Sequence, residues 1–398
     1  MHKGVGREHG KPSTFAFGRT EHRSGIDTAV HRHRTPAPGA LIFYFLMDSH
    51  VLFGISVQGP YSPDAPRERH FPGVLESAIA ARDAGFDFIT TGQEYLTPGP
   101  AIYTLAAIPL LARLAADLPG MRIMTGVYLV PLDHPLRLVN DFATLDTISG
   151  GRLDIGMGLA YRKPEFENFG VDIKTRGRRF DEAIDVMRML FTQDLVTYEG
   201  QFFKLHEARS RARAIQRPHP PFWIGGYSAA AVRRAAERGD GWYPGAFAEL
   251  SVLKDQVALY RKTISDLGKP GQGQLMVLRF TWIDEDRKKA QQLAKDHAEG
   301  PHRNYVATGL RESLAEYKSR PWLSGHDLFV ENWFAGNPDD IYEQIKLYIE
   351  VVRPDRFNFR VSVDPSAHAD AHKAVRLLGR EVLPRARKFA ASLAAAAR

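Results

Sequence analysis

Eight apolar, strand-like runs, each followed by a helical pattern, predict a single (β/α)8 TIM barrel for this chain of 398 residues. The runs begin near residues 51, 86, 122, 152, 222, 241, 275 and 357. Met121 to Val130 is apolar and rich in β-branched residues, as a parallel strand covered on both faces is. No Gly-x-Gly-x-x-Gly follows the first run, which weighs against a dinucleotide-binding open sheet. A doubly wound open sheet stays the alternative, because strand order is not visible in a sequence.

In chain order, Val51 to Gln58 reads as the first strand and Phe71 to Ala84 as its helix, stopped by Gly85. Phe86 to Thr91 is the second strand and runs into the polar cluster Gly92-Gln93-Glu94-Tyr95; the helix Ala101 to Asp117 follows. The clearest unit spans Met121 to Arg162. Its strand, Met121 to Val130, leads through Pro131 to Pro135 at a helix start. Leu138, Val139, Phe142, Ala143, Leu145 and Ile148 then form one apolar stripe, and Gly150-Gly151 closes the helix. Arg152 to Gly158 is the fourth strand, with a long polar exit over residues 159–177 and a helix from Arg178 to Phe191. Residues 194–219 break the rhythm and are read as an insertion. Pro221 to Ile224, Gly241 to Tyr243 and Leu275 to Ile283 are strands five to seven, with helices Ala229 to Arg238 and Leu250 to Leu267 between them. Residues 285–325 are a second insertion, after strand seven. Pro338 to Val352 is a helix capped by Asn337, Phe357 to Val363 the last strand, and Ala367 to Arg380 the closing helix.

Composition is that of a soluble globular protein, with 44% hydrophobic and 25% charged residues. There are no cysteines, which excludes disulfides and thiolate chemistry and fits a reducing, cytoplasmic setting. The net charge of +7 is spread without a Lys/Arg block interleaved with aromatics, so nucleic acid is not the expected partner, and no apolar run is long enough for a membrane. Residues 1–46 are read as a disordered extension outside the fold, with 47–398 as the barrel domain. They are too long for a secretory signal; an organelle transit peptide or a start codon upstream of a true start at Met47 would explain them.

A barrel builds its site from the loops at the carboxyl ends of its strands. Gly225-Gly226-Tyr227-Ser228, between a strand and a helix start, could hold a phosphate on bare backbone N–H groups and the helix dipole. The plain alternative is a turn with Ser228 as N-cap. Gly156 and Gly158, followed by Tyr161 and Arg162, either flank a planar ring and its phosphate or answer a packing need for small residues. Glu94 is a general-base candidate if buried, or else a carboxylate fixed by an arginine. His134 is the histidine best placed to titrate near neutrality, against a merely structural role. Arg176, Arg178, Arg179 and Glu182 open a helix against its dipole, which calls for an anion or an Arg179–Glu182 pair. Tyr61, Trp322, Trp333 and Phe334 suggest an apolar substrate cavity. Metal-ligand spacings and Gly-x-Ser-x-Gly are absent, so neither a metal enzyme nor that type of hydrolase is expected.

The run LDTISGGRLDIGMGLAYR, with PHPPFWIGGYS and DGWYPG downstream, resembles the bacterial luciferase-like monooxygenase superfamily. EFENFGVDIKTRGRRFDEAIDVMRMLF and YEGQFFKL match the same pattern in order and spacing. The resemblance implies a barrel binding FMN or the deazaflavin F420 at its carboxyl face. It implies that Gly225, Gly226 and Ser228 meet the cofactor phosphate, helped by the loop from Gly158 through Tyr161 and Arg162. Gly126 and Val127 would support the isoalloxazine ring. Reduced FMN would come from a separate reductase and, with O2, oxidise an apolar organic substrate; F420 members move a hydride instead. A homodimer is the expected assembly. Where many members carry a histidine after strand two, this chain has Gly92-Gln93-Glu94-Tyr95, so Glu94 or Tyr95 would take over proton handling. The expected activity is a flavin-dependent monooxygenase; the alternatives are an F420-dependent oxidoreductase and a non-catalytic flavin-binding protein.

Overall fold

The computed structural model describes residues 51–57, 66–96, 104–246, 248–296, 333–361 and 368–396. Eight strands form its centre: β1 (Leu52–Ser56), β2 (Phe88–Thr91), β3 (Arg122–Thr125), β4 (Leu153–Gly158), β5 (Phe222–Gly225), β6 (Gly241–Tyr243), β7 (Gln274–Ile283) and β8 (Arg356–Val361). All pair in parallel with their chain neighbours, and β8 returns to β1 with Phe357 opposite Phe53, closing the barrel. Helices α1 (His70–Asp83), α2 (Ala107–Asp117), α3 (Pro135–Ser149), α4 (Arg176–Thr192), α5 (Ala229–Arg238), α6 (Leu250–Asp266), α7 (Pro338–Val352) and α8 (His368–Leu377) supply the crossovers that parallel pairing requires.

Successive side chains on a strand point to opposite faces. Outward positions such as Phe53, Ile89, Ile123, Ile155, Val277 and Phe357 join the core beneath the helices. The rings of Phe53, Phe357 and Phe359 stack there with nearly parallel planes, centroids 5.8–6.1 Å apart. Each ring so buried contributes roughly 1.5–3 kcal/mol. Inward positions Phe88, Met124, Trp223, Tyr243 and Met276 fill the barrel itself.

Its amino-terminal floor is ionic. Asp154, fully buried, accepts from Arg122 Nε (2.8 Å) and Nη2 (3.0 Å) and from Arg356 Nη1 (2.7 Å), with Trp223 Nε1 at 3.4 Å. Burial opposes its charge, but the Arg122 and Arg356 guanidiniums outweigh that and hold the carboxyl well below the usual range.

Pro135 and left-handed Gly150 bound α3 as expected. The stripe is buried from Leu138 to Leu145, yet Ile148 is 51% exposed. Asp146 is buried instead, because it accepts from Ile215 N, Gln216 N and Gln216 Nε2 at 2.7–2.9 Å and so docks the insertion after β4. That insertion carries an antiparallel hairpin, Val196–Glu199 with Lys204–Ala208. The polar exit after β4 contains a short helix, Lys163–Asn168. The predicted Arg179–Glu182 pair gives way to other contacts. Glu182 accepts the N–H groups of Gln201, Phe202 and Phe203 at the hairpin turn, while Arg179 Nε donates to Pro131 O at 2.8 Å. Asn337 caps α7 in a reciprocal box with Asp340. The closing helical run goes beyond Arg380, through a wide turn at Leu378–Val382 into Leu383–Ala396. Phe334 is core, edge-on to Tyr348, rather than a loop aromatic. Residues 1–46, Tyr61, Trp322 and most of the second insertion lie outside the described residues. Among those described, no helix is long and apolar enough to cross a membrane.

Candidate active site at the carboxyl end of the barrel

The predicted ring-binding residues meet around one side chain. Val127 follows β3, its peptide with Gly126 is cis, and its carbonyl accepts from Gln93 N at 3.1 Å while Gly126 N donates to Thr91 O at 2.7 Å. A Cβ on Gly158 would lie 2.6 Å from Val127 Cγ2, and one on Gly225 would lie 3.2 Å from Val127 Cγ1. Val127 therefore dictates the glycine at 158, and at Gly225 it shares that role with Met157 O, also 3.2 Å away. What results is a floor of backbone and one isopropyl group spanning three strand ends. A Cβ on Gly126 would press on Thr90, 3.0 Å away. Such a floor, with no side chain on Gly126, Gly158 or Gly225, suits a flat ring.

The neighbouring turn is held from two sides. Trp242 Nε1 donates to Gly226 O at 2.7 Å, and Gln256 Nε2 donates to Tyr227 O. Gly226 has φ +129°, and a Cβ there would come within 2.7 Å of Ala231 Cβ, so the position requires glycine. Ser228 is the N-cap of α5, its Oγ accepting from Ala231 N at 3.2 Å. The capping role foreseen as the plain alternative is thus in place, and it leaves the dipole end of α5 beside Gly225 and Gly226.

Glu94 and Arg162 come together across the mouth between β2 and β4. Arg162 is 4% exposed and donates from Nη2 to Glu94 Oε1 at 3.2 Å, with Nη1 3.6 Å from Glu165 Oε1. Burial works against the Arg162 charge, and Glu94, Tyr161 and Glu165 more than offset it. Glu165, fully buried, was not foreseen: it accepts the N–H groups of Tyr95 (3.0 Å) and Leu96 (3.4 Å) and so fixes the exit of β2. Tyr161 lies under the Arg162 guanidinium, 5.0 Å from centroid to carbon. The Tyr95 ring rests on Phe169, and its hydroxyl is 3.4 Å from that of Tyr128, which donates to Asp133 at 3.0 Å. Burial pushes both phenols above their ordinary value.

His134 caps a helix. Its Nδ1 accepts from Leu136 N at 3.3 Å, capping α3, and its ring meets Phe203 of the hairpin edge-on. Partial burial, then the Arg179 charge, lower its pKa, so it is neutral at pH 7 with the proton on Nε2. Its contacts run to α3 and the hairpin, not to the glycine floor.

Beneath Gly126 sits a polar group the sequence reading missed. Asn358, 1% exposed, donates from Nδ2 to Thr90 Oγ1 (2.9 Å) and Tyr243 Oη (2.6 Å). The signal was present in FNFRV, where Asn358 and Arg360 take alternate positions of a strand covered on both faces.

A family model described as luciferase-like monooxygenase matches residues 47–353. A flavin-dependent trigonelline monooxygenase, oxygenase component, from Acinetobacter baylyi is 23% identical over 81% of this chain and 92% of its own length. Among solved structures, a Streptomyces bottropensis monooxygenase superposes with a TM-score of 0.71 at 24% identity, covering 84% of this chain and 99% of that one. The coenzyme F420-dependent tetrahydromethanopterin reductase of Methanopyrus kandleri gives 0.63 at 22% identity, over 84% and 99%. With a barrel closed in this order, a glycine floor at its carboxyl end and a family match over most of its length, the chain belongs to the luciferase-like monooxygenases.

Proposed function

We propose that this protein is the oxygenase of a two-component system, taking reduced FMN from a separate reductase and using O2 to oxidise an organic substrate. The observation that carries the reading is the floor around Val127, where Gly126, Gly158 and Gly225 come together at three strand ends with no side chains of their own. Bound there, reduced FMN would supply the two electrons with which O2 is activated. Gly225, Gly226 and Ser228 would hold its phosphate at the start of α5, and Tyr161 with Arg162 would form the adjoining wall. Glu94, kept as an acceptor beside Arg162, and Tyr95 are assigned proton handling at the exit of β2; His134 is withdrawn from that role because its Nδ1 caps α3. The same floor would take a deazaflavin, so the test must include one. Anaerobic titration of the purified chain with FMNH2 and with F420H2, followed by admission of air, is expected to give FMNH2 binding and oxygen-dependent product. Tight F420H2 binding with no oxygen-dependent product would replace this reading with hydride transfer. FMNH2 binding without turnover of any substrate leaves a flavin carrier, and binding of neither overturns the assignment.

A further inference from the structure

On β8, Arg356, Asn358 and Arg360 share the inner face at three depths. Arg356 belongs to the ionic floor, Asn358 to the polar group under Gly126, and Arg360 stands at the carboxyl end, in register with Phe280 of β7. The Arg360 guanidinium lies 5.3 Å from the Phe280 ring centroid. Phe280 in turn contacts Trp282 and Trp333, and those two indoles stack at 4.4 Å. Inside this aromatic nest, Arg360 Nε is buried without a hydrogen-bond partner, and so is Trp282 Nε1. Both are donors. One pleat deeper, Asn358 Oδ1 is also unmatched. No acidic side chain among the described residues pairs with Arg360, whereas Arg356 on the same strand is fully paired.

Buried donors are normally matched, and two unmatched donors set among aromatic rings are a place where a ligand can bring the acceptors. We propose that this nest is the substrate-recognition end of the site, and that the substrate is a flat conjugated ring bearing a carboxylate. The ring lies against the wall of Phe280, Trp282 and Trp333, and the carboxylate is received by Arg360, whose planar fork matches a two-oxygen anion. This rests on the carboxyl end of the barrel being the reaction site, as in the function proposed above, and narrows its apolar substrate to an aromatic acid.

The test is calorimetric titration of the full chain, without flavin, using benzoate, benzamide and inorganic phosphate as probes. Benzoate is expected to bind tighter than its neutral isostere by about tenfold or more, the worth of a charge-assisted pair. Arg360→Met should remove that preference, and Arg360→Lys, which keeps the charge but not the fork, should retain part of it. Circular dichroism shows whether each variant is folded; if Arg360→Met is not, a weakened preference in Arg360→Lys carries the result. Equal binding of benzoate and benzamide by the native chain, or a preference that survives Arg360→Met, would overturn the proposal. So would phosphate displacing benzoate, since Arg360 would then serve the cofactor's anion. FMNH2 binding is measured in parallel. Its loss alongside an intact benzoate preference would fell the flavin reading and leave this one standing.

Discussion

Arg356 and Arg360 sit on the same face of the same strand, one at each end of the barrel, and their surroundings are opposite. Arg356 shares Asp154 with Arg122, lies 4.5 Å over the Trp223 ring, and has its charge fully answered. Among the described residues, Arg360 is met by the face of Phe280, and its Nε is buried without an acceptor. A buried charge that is paired and hydrogen-bonded is part of the folded structure; a buried donor without an acceptor costs stability and is a place where a ligand can supply one. The glycines differ in what they make room for: Gly54 and Gly241, low in the barrel, admit the Phe88 and Trp223 rings, while Gly126 and Gly158 above them admit Thr90 and the Val127 methyls. The amino end is closed by its own side chains, and at the carboxyl end the proposed function would place a ligand.

The largest effect should come from breaking the closed end. Asp154→Asn leaves two buried guanidiniums without their carboxylate, a loss of about 3–5 kcal/mol, or roughly 10 °C in the thermal midpoint. Because the folded-state pKa of Asp154 is depressed, its contribution is fully present above the unfolded carboxyl value of about 3.9 and is lost only as the pH falls below it. Acid unfolding should therefore separate native chain from variant least at the lowest pH. Arg360→Met, by contrast, is expected to keep the native midpoint or raise it. A fall matching that of Asp154→Asn would erase the distinction between the two ends.

Gly158→Ala comes next. The added Cβ would meet Val127 Cγ2 at 2.6 Å, so the floor must buckle, at about 1–3 kcal/mol in stability and with weakened FMN binding. The double variant Gly158→Ala with Val127→Ala removes the atom in the way. Melting and flavin titration of both should show the second change recovering stability. If it does not, Val127 is not what dictates glycine at 158.

The barrel was legible because eight strand-like runs, each followed by a helical pattern, recur along the chain. All eight predicted strands are present, and Gly150, Ser228 and Asn337 end or begin helices where their chemistry placed them. Gly126, Val127, Gly158 and Gly225 were legible as strand exits, though not that one valine joins them. What could not be read depends on which strands become neighbours. Asn358 reaches Thr90 across 268 positions of sequence, and Glu165 holds Tyr95 across 70. No local spacing encodes either. Ile148 was misplaced for a related reason: the stripe of α3 was extended by period alone, while Asp146 had a partner in an insertion whose docking the period does not contain.

At the rim between the two ends, Glu94 offers a smaller test. Glu94→Gln keeps the hydrogen bond from Arg162 and removes the charge, so flavin affinity should hold. The pH–rate profile of turnover should change, with a rate loss on the order of 10²-fold, if Glu94 moves a proton in the rate-limiting step. An unchanged profile would remove it from the chemistry and leave Tyr95, whose hydroxyl is tied to Tyr128, as the group to alter next.

The smallest effect belongs to His134, and it concerns the fold rather than the reaction. His134→Ala deletes the acceptor that caps α3 and should lower stability by about 1 kcal/mol; His134→Asn, which restores a capping oxygen, should recover most of it. The folded-state pKa of His134 is lowered, so the folded chain resists its protonation. Its stabilising contribution is then complete above an unfolded value of about 6.5 and declines as the pH drops below it, since a protonated imidazole can no longer accept from Leu136. Unfolding midpoints followed from pH 8 to pH 5 should converge for native chain and His134→Ala, while kcat at pH 8 is unaffected by His134→Asn. A large loss of turnover in that variant, with the midpoint preserved, would return His134 to the mechanism.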